Sequence, residues 1–308
     1  YSGVKRAISK IESELLSLLT TEEKKKMLDG LPSSLSNAIE ELVAANVKFK
    51  KTVGGSLPKE AKEFIRNANR LLRLMEEYFC GCFRLFAVEE GKQKDVTLYL
   101  YCLDASKFLS AQMARIRAGV LFSATLSPIS HYMKSILGRD DCPYLLLPSP
   151  FPKENFKLLV APKVSVRYKD RDGTYAEAAS YLEAFVKGRK GNYFLYFPSY
   201  EYLRNIRSHL RFEGASVFMQ DRSMNMEERE AFLNNFPSNP DGTNIGLLIL
   251  GGVFSEGIDM IDDRLIGVAI VGIGLPMVGD ETNMLRDYAN SKGEDGFAVA
   301  FKNPGINK

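Results

Sequence analysis

Histidine is nearly missing. The 308 residues hold only His131 and His209. A histidine-built metal centre or a Ser-His-Asp triad has little to be made from, and both residues read as surface or packing histidines. Cysteine is sparse too: Cys80, Cys82, Cys102 and Cys142. They form no CxxC pair, and Cys80-Gly81-Cys82 is too tight for the usual zinc spacing. The expectation is ordinary reduced thiols in a cytoplasmic protein and no metal site. No apolar run approaches the roughly 18 residues of a membrane span, so no membrane partner is expected. The N-terminus, YSGVKRAISKIESELL, is amphipathic and has no signal-peptide core. It also lacks a starting Met, as an excised piece would. No GxxxxGK[ST] phosphate loop occurs anywhere in the chain. There is no internal repeat and no low-complexity segment.

What is present suffices for two domains, each with a core of its own. Hydrophobic residues make up 45% and charged residues 26%, the balance of a globular chain. A net charge of +3 permits a nucleic-acid partner without arguing for one.

The first eighty residues read as helices. Val4, Ile8, Ile11, Leu15 and Leu18 keep helical spacing, as do Leu35, Ala38, Ile39, Leu42 and Val43. Phe64, Ile65, Ala68, Leu71, Leu72, Met75 and Phe79 form the clearest set, with Ser56 and Pro58 as a start signal. The stretch CFRLFAVEEGKQKDVTLYLYCLD then predicts a β-hairpin around a polar turn. A short helix near residues 105–114 leads to a strand predicted at Gly119–Phe122.

From there strands and helices alternate. FKLLVAP, NYFLYF, ASVFM, NIGLLIL and RLIGVAIVG read as strands. TYAEAASYLEAFVKG reads as a helix with a capping box at Thr174 and Glu177, SYEYLRNIRSHL as a second, and NMEEREAFLNNF as a third with a capping box at Asn225 and Glu228. Asp280-Glu281 reads as part of a loop. Such alternation implies βαβ units and a parallel sheet. Ligands of open α/β sheets bind beyond the C-terminal strand ends, so the residues after each strand are the ones to weigh.

Four such ends stand out. Phe122 precedes Ser123-Ala124-Thr125. Phe197 precedes Pro198-Ser199-Tyr200. Met219 precedes Gln220-Asp221-Arg222-Ser223. Leu250 precedes GGVFSEGIDM, Gly251 to Met260. Each has a structural explanation: hydroxyls cap helices, glycines make turns, and a single Asp259 sits in solvent. The functional explanation is that hydroxyls, backbone amides and glycines suit phosphate oxygens. Ser199 and Ser255 could hydrogen-bond phosphates, and Tyr200 offers a ring to a base. Gly257 lets the backbone approach a ligand, while Glu256 and Asp259 could accept from a ribose or an arginine.

Taken together, LFSATLSP, YFLYFPSY and GGVFSEGIDMIDDRLIGVAIVGIGLP, in that order, resemble the C-terminal motor half of the XPD/DinG family of superfamily 2 DNA helicases. The resemblance runs from about Val96 to Lys308 and corresponds to helicase motifs III, IV and V. It implies an α/β chain built on a RecA-like parallel sheet. Residues 128–308 would be the second motor domain, 79–127 the hairpin and final strand region of the first, and 1–78 a helical remnant of the Arch insertion, placed more by position than by sequence.

Site roles follow by the same resemblance. Ser123, Ala124 and Thr125 would couple ATP state to movement. Ser199, Tyr200 and Ser255 would hold single-stranded DNA. Glu256, Gly257 and Asp259 would face the nucleotide cleft. The implied protein hydrolyses ATP with Mg²⁺ and moves 5′ to 3′ on single-stranded DNA in repair or replication, with a protein partner possible at residues 1–78. The phosphate loop, the DEAH-like carboxylate pair and the family's iron–sulfur cysteines would lie upstream. The motif VI pattern QxxGRxxR would begin beyond Lys308. This chain alone is therefore expected to be inactive, and Cys80, Cys82 and Cys102 are not assigned to a cluster.

Two other readings compete. One is a module that grips single strands or a repair partner without any nucleotide role. The other, a dinucleotide-binding α/β enzyme, would want GxGxxG between strand and helix. VGIGLP at 271–276 offers only Gly272 and Gly274 before a proline.

Overall fold

A computed structural model describes residues 2–54, 56–91 and 94–307. They divide into two compact units. The first comprises residues up to Phe122 with Ile129–Asp141 and Asp287–Gly293; the second comprises Ser123–Pro128, Cys142–Arg286 and residues from Glu294 onward.

The first unit is built on three amphipathic helices, α1 (Ser2–Leu16), α2 (Ser33–Val53) and α3 (Lys59–Glu77). Their apolar stripes meet: Val4, Ala7 and Ile11 of α1 pack with Leu35, Ala38, Ile39 and Leu42 of α2 and Ile65 and Leu72 of α3. The expectation of helices alone needs one correction. Lys25–Leu28 is a strand, β1, set between α1 and α2. It pairs antiparallel with β2 (Phe83–Glu90), which pairs antiparallel with β3 (Asp95–Cys102). Its mostly exposed KKML carries no alternating pattern, and the open edge of β2 recruits it through backbone hydrogen bonds. The hairpin of β2 and β3 stands where it was expected; Lys92 and Gln93 of its turn lie outside the described residues. α4 (Ser106–Met113) follows, and α5 (Ile129–Tyr132) runs into a wider turn at Met133–Leu137.

Two expected strands do not form. Gly119–Phe122 and the FKLLVAP segment have no ladder partner, and Val120, Phe122, Phe156, Leu158, Leu159 and Val160 are exposed. A strand needs a neighbour to satisfy its backbone groups, and among the described residues none pairs with either run.

The second unit holds a four-stranded sheet, all parallel, in the order β5-β6-β4-β7. β4 is Asn192–Phe197, β5 Ala215–Met219, β6 Thr243–Ile249 and β7 Gly267–Ile270. All six residues of β4 are buried because both sheet faces are covered. Tyr193, Leu195 and Phe197 point to one side. They pack with Tyr175, Ala179 and Leu182 of α6 (Arg171–Lys187) and with Tyr202, Leu203 and Ile206 of α7 (Tyr200–Arg207). Phe194 and Tyr196 point to the other, against Phe232, Phe236 and Phe254. Gly246 in β6 is fixed by this packing: a Cβ there would lie 2.9 Å from the Phe194 ring.

Helix starts divide the capping expectations. Asn225 caps α8 (Met226–Asn234) with the full reciprocal box, its side chain accepting from Glu228 N–H at 2.9 Å while the Glu228 carboxylate accepts from Asn225 N–H at 2.7 Å. The box at Thr174 is absent. α6 begins at Arg171, so Thr174 lies inside it and its hydroxyl donates back to the Ser165 carbonyl at 2.7 Å. Asp280-Glu281 is likewise no loop but the first turn of α9 (Asp280–Ser291), where carboxylates suit the helix dipole. No helix among the described residues is long and apolar enough to cross a membrane.

Candidate nucleic-acid interface

Parallel registry brings three strand ends to one edge of the sheet. Phe197 pairs with Ile249, and Met219 with Leu247. The ladder continues past the strands: Leu250 N–H donates to the Phe197 carbonyl at 2.9 Å, and Gln220 N–H to the Leu247 carbonyl at 3.0 Å. Ser199-Tyr200, Gln220-Asp221-Arg222 and the Gly251–Met260 loop therefore start side by side, where the order of strands reverses between β4 and β6.

Gln220 ties them together. It is 3% exposed. Its Oε1 accepts from Ile249 N–H at 3.1 Å, and its Nε2 donates to the Tyr200 hydroxyl at 3.1 Å. That hydroxyl donates to the Asp221 carbonyl at 3.0 Å. The Arg222 guanidinium lies over the Tyr200 ring, 4.9 Å from its centroid. Burial pushes the Tyr200 phenol up, Asp221 adds to this, and the Gln220 hydrogen bond and Arg222 charge oppose it. Gly252 is required beside them: a Cβ there would fall 2.8 Å from Gln220 Nε2 and 2.9 Å from the Ile249 carbonyl.

Ser199 caps α7 and accepts from Tyr202 N–H at 3.1 Å. An accepting hydroxyl still has its own hydrogen to donate. Ser255 is placed differently. Its hydroxyl donates to the Ile249 carbonyl at 3.2 Å, so its hydrogen is spent and its lone pairs remain. The loop that carries it is pinned by Phe254, stacked on Phe232 at 4.6 Å, whose carbonyl accepts from the Tyr196 hydroxyl at 2.7 Å. Burial pushes that phenol up to about 12, so it stays a donor.

Glu256 and Asp259 are exposed on the same loop. Gly257 between them has φ +72° with open space around it, a backbone shape that favours glycine. The structure does not bring Ser123-Ala124-Thr125 into this hydrogen-bonded group. Thr125 N–H donates to Ser123 Oγ at 3.1 Å in an exposed turn, and Asn307 Nδ2 donates to the nearby Ser127 carbonyl at 2.8 Å. Gln220, Gly252 and Arg222 had no assigned role in the sequence reading. The available signal was a side-chain amide directly after a strand that turns toward its neighbours.

Comparison with known proteins bears on this edge. Residues 182–308 match the family model described as Helicase C-terminal domain. This part of the chain is similar to that domain over 127 residues, under half of the chain's length. It contains β4 to β7 and every residue of the edge just described. The probable ATP-dependent helicase MJ0942 of Methanocaldococcus jannaschii is 29% identical over 167 residues, covering 50% of this chain and 24% of that protein. The ATP-dependent DNA helicase CHL1 of Saccharomyces cerevisiae is 24% identical over 215 residues, covering 60% of this chain and 23% of that protein. The chain thus spans about a quarter of the length of these relatives. Among solved structures, one described as XPD_APO superposes with TM-score 0.55 at 18% identity, over 99% of this chain and 60% of that one. The structure of S. tokodaii Xpd4 gives 0.52 at 15% identity, over 99% and 61%. These two likenesses establish a shared fold.

Proposed function

We propose that the segment similar to the helicase C-terminal domain serves as the second motor domain of an ATP-dependent DNA helicase that moves 5′ to 3′ on single-stranded DNA in the cytoplasm, in repair or replication. The observation that carries this reading is the sheet edge: three strand ends locked by Gln220, within the segment that matches the helicase domain. Ser199 keeps a hydroxyl hydrogen for a phosphate oxygen. Ser255 would join after rotating off the Ile249 carbonyl. Tyr200 presents a ring already partnered by Arg222, so a base stacks on its other face or on the guanidinium itself.

Nucleotide recognition uses Glu256, Gly257 and Asp259, where the left-handed Gly257 lets phosphate or ribose approach the backbone. Ser123, Ala124 and Thr125 couple nucleotide state to movement through their exposed turn. Magnesium would accompany the nucleotide in the full-length protein, held largely by its phosphates and waters. The phosphate loop, the carboxylate pair and any iron–sulfur cluster belong to upstream sequence, and residues 1–78 are offered to a protein partner.

Fluorescence anisotropy with oligonucleotides of unrelated sequence, across a salt series, tests the grip. Ser199→Ala should weaken binding by about 0.5–1.5 kcal/mol, the value of one neutral hydrogen bond. Tyr200→Ala should cost about 1–3 kcal/mol if a base stacks there. Unchanged affinity in both variants, with the fold intact, contradicts the assignment. Phosphate release tests the nucleotide role. The chain alone should release none. Joined to an upstream motor half and a motif VI segment, it should become DNA-stimulated, and Asp259→Ala and Glu256→Gln should then impair it. Binding without stimulation would favour a single-strand-binding module instead.

A further inference from the structure

The turn between α3 and β2 places two cysteines in contact, at a spot the helicase reading does not use. Cys80 is exposed and Cys82 buried. Their sulfurs are 2.9 Å apart. A disulfide bond is about 2 Å long, so the pair has under about 1 Å to close. Only Gly81 separates them, and a Cβ at Gly81 would meet nothing within 4 Å. The turn is held by its carbonyls. That of Cys80 accepts from Phe83 N–H at 2.9 Å, that of Gly81 from the Arg84 guanidinium at 2.7 Å, and that of Cys82 from Leu103 N–H at 2.8 Å.

The surroundings give the two sulfurs different roles. They open on a cleft of about 480 Å³ lined also by Arg84, Asp104, Lys107, Tyr288 and Lys292. The hydrogen bonds from Cys82 hold the Cys80 thiol below its usual range, with help from Lys107 and against burial and Asp104. Burial first, then the bond to Cys80 and its charge, pushes the Cys82 thiol up to about 12. Asp104 itself sits below the usual carboxylate range: burial raises it, but hydrogen bonds from Ser106 and Tyr288 and the charge of Lys292 outweigh that. Cys80 is therefore the readier of the two thiols to lose its proton.

We infer that Cys80 and Cys82 form a reversible dithiol–disulfide pair, a site of oxidative modification that reacts with low-molecular-weight disulfides of the glutathione type, Cys80 attacking first. The Cys80 thiolate attacks one sulfur of the oxidant, whose S–S bond breaks. The first thiolate leaves and takes a proton from solvent. With the Cys80 sulfur now neutral, the like charge and the hydrogen bond that held the proton on Cys82 are gone. Cys82 attacks the Cys80 sulfur, and the second leaving thiolate takes the Cys82 proton. Two cysteine thiols lose two electrons; the oxidant gains them and becomes two thiols. A bridge across one residue gains little from loop closure, so excess thiol reverses it readily. Cys102, paired across the hairpin with Phe83 and pushed up by burial, is a bystander.

The test is peptide mapping by mass spectrometry after equilibration of the full chain in glutathione buffers of rising oxidised fraction, acid quenching and alkylation. A Cys80–Cys82 bridge should form while Cys102 and Cys142 remain alkylatable, and excess reduced thiol should remove it. Cys82→Ser should trap glutathione on Cys80; Cys82→Ala must give the same adduct, which separates chemistry from any change in packing at this buried site. Cys80→Ser should leave Cys82 as a thiol. The inference is overturned if glutathione rests on Cys80 of the unaltered chain without a bridge, if Cys82 pairs with Cys102, or if Cys80 reacts no faster than Cys142.

Discussion

Val120-Leu121-Phe122 and Leu247-Leu248-Ile249 are both apolar triplets, each followed within a residue or two by small polar or glycine residues. The second is buried at the centre of a parallel sheet. The first is irregular, with Val120 at 84%, Leu121 at 47% and Phe122 at 90% exposure. Composition does not separate them. Neighbours do: β6 has β4 and β5 on its two sides, and the first triplet has no strand beside it among the described residues. Strand formation is a property of the partner as much as of the run itself.

The largest expected effect exploits that contrast. Phe194→Ala, in the fully buried strand beside β6, should cost about 3–5 kcal/mol in chemical denaturation. Phe122→Ala should stay within about 0.5 kcal/mol. Similar losses at the two sites would break the comparison and mean that the first triplet is packed in solution. Next comes the edge itself. Gln220→Leu leaves the Ile249 N–H without its acceptor and should cost about 1–3 kcal/mol, with looser single-strand binding because Tyr200 loses its donor. A change in binding with no loss of stability would show that Gln220 touches the strand directly. Smallest is Asn225→Ala, which removes the cap of α8 on the periphery of the same sheet and should cost about 1 kcal/mol while leaving binding unchanged.

The same contrast explains what the sequence made legible. β4 to β7, the hairpin and the Asn225 box were readable because local pattern and tertiary context agree there. β1 was invisible because two lysines, Met27 and Leu28 show no alternation, and only the β2 edge makes them a strand. FKLLVAP and Gly119–Phe122 misled because an apolar run signals the need for a neighbour, not its presence. Thr174 misled because a Thr…Glu spacing recurs inside helices as well as at their starts. At the site, the positions of Ser199, Tyr200 and Ser255 could be read from strand ends. The hydrogen-bond states that set them apart could not. The Ser255 hydrogen is spent on Ile249, and Tyr200 is locked by Gln220 from another strand, a pairing that depends on the register of β4, β5 and β6.

Hydrogen exchange with and without a saturating single-stranded oligonucleotide tests the central claim most directly. The account predicts added protection at residues 198–202, 219–223 and 250–260, the three strand ends on one sheet edge, and none at the irregular 156–160 segment. Protection confined to the first unit, or absent from all three strand ends at saturation, would contradict it.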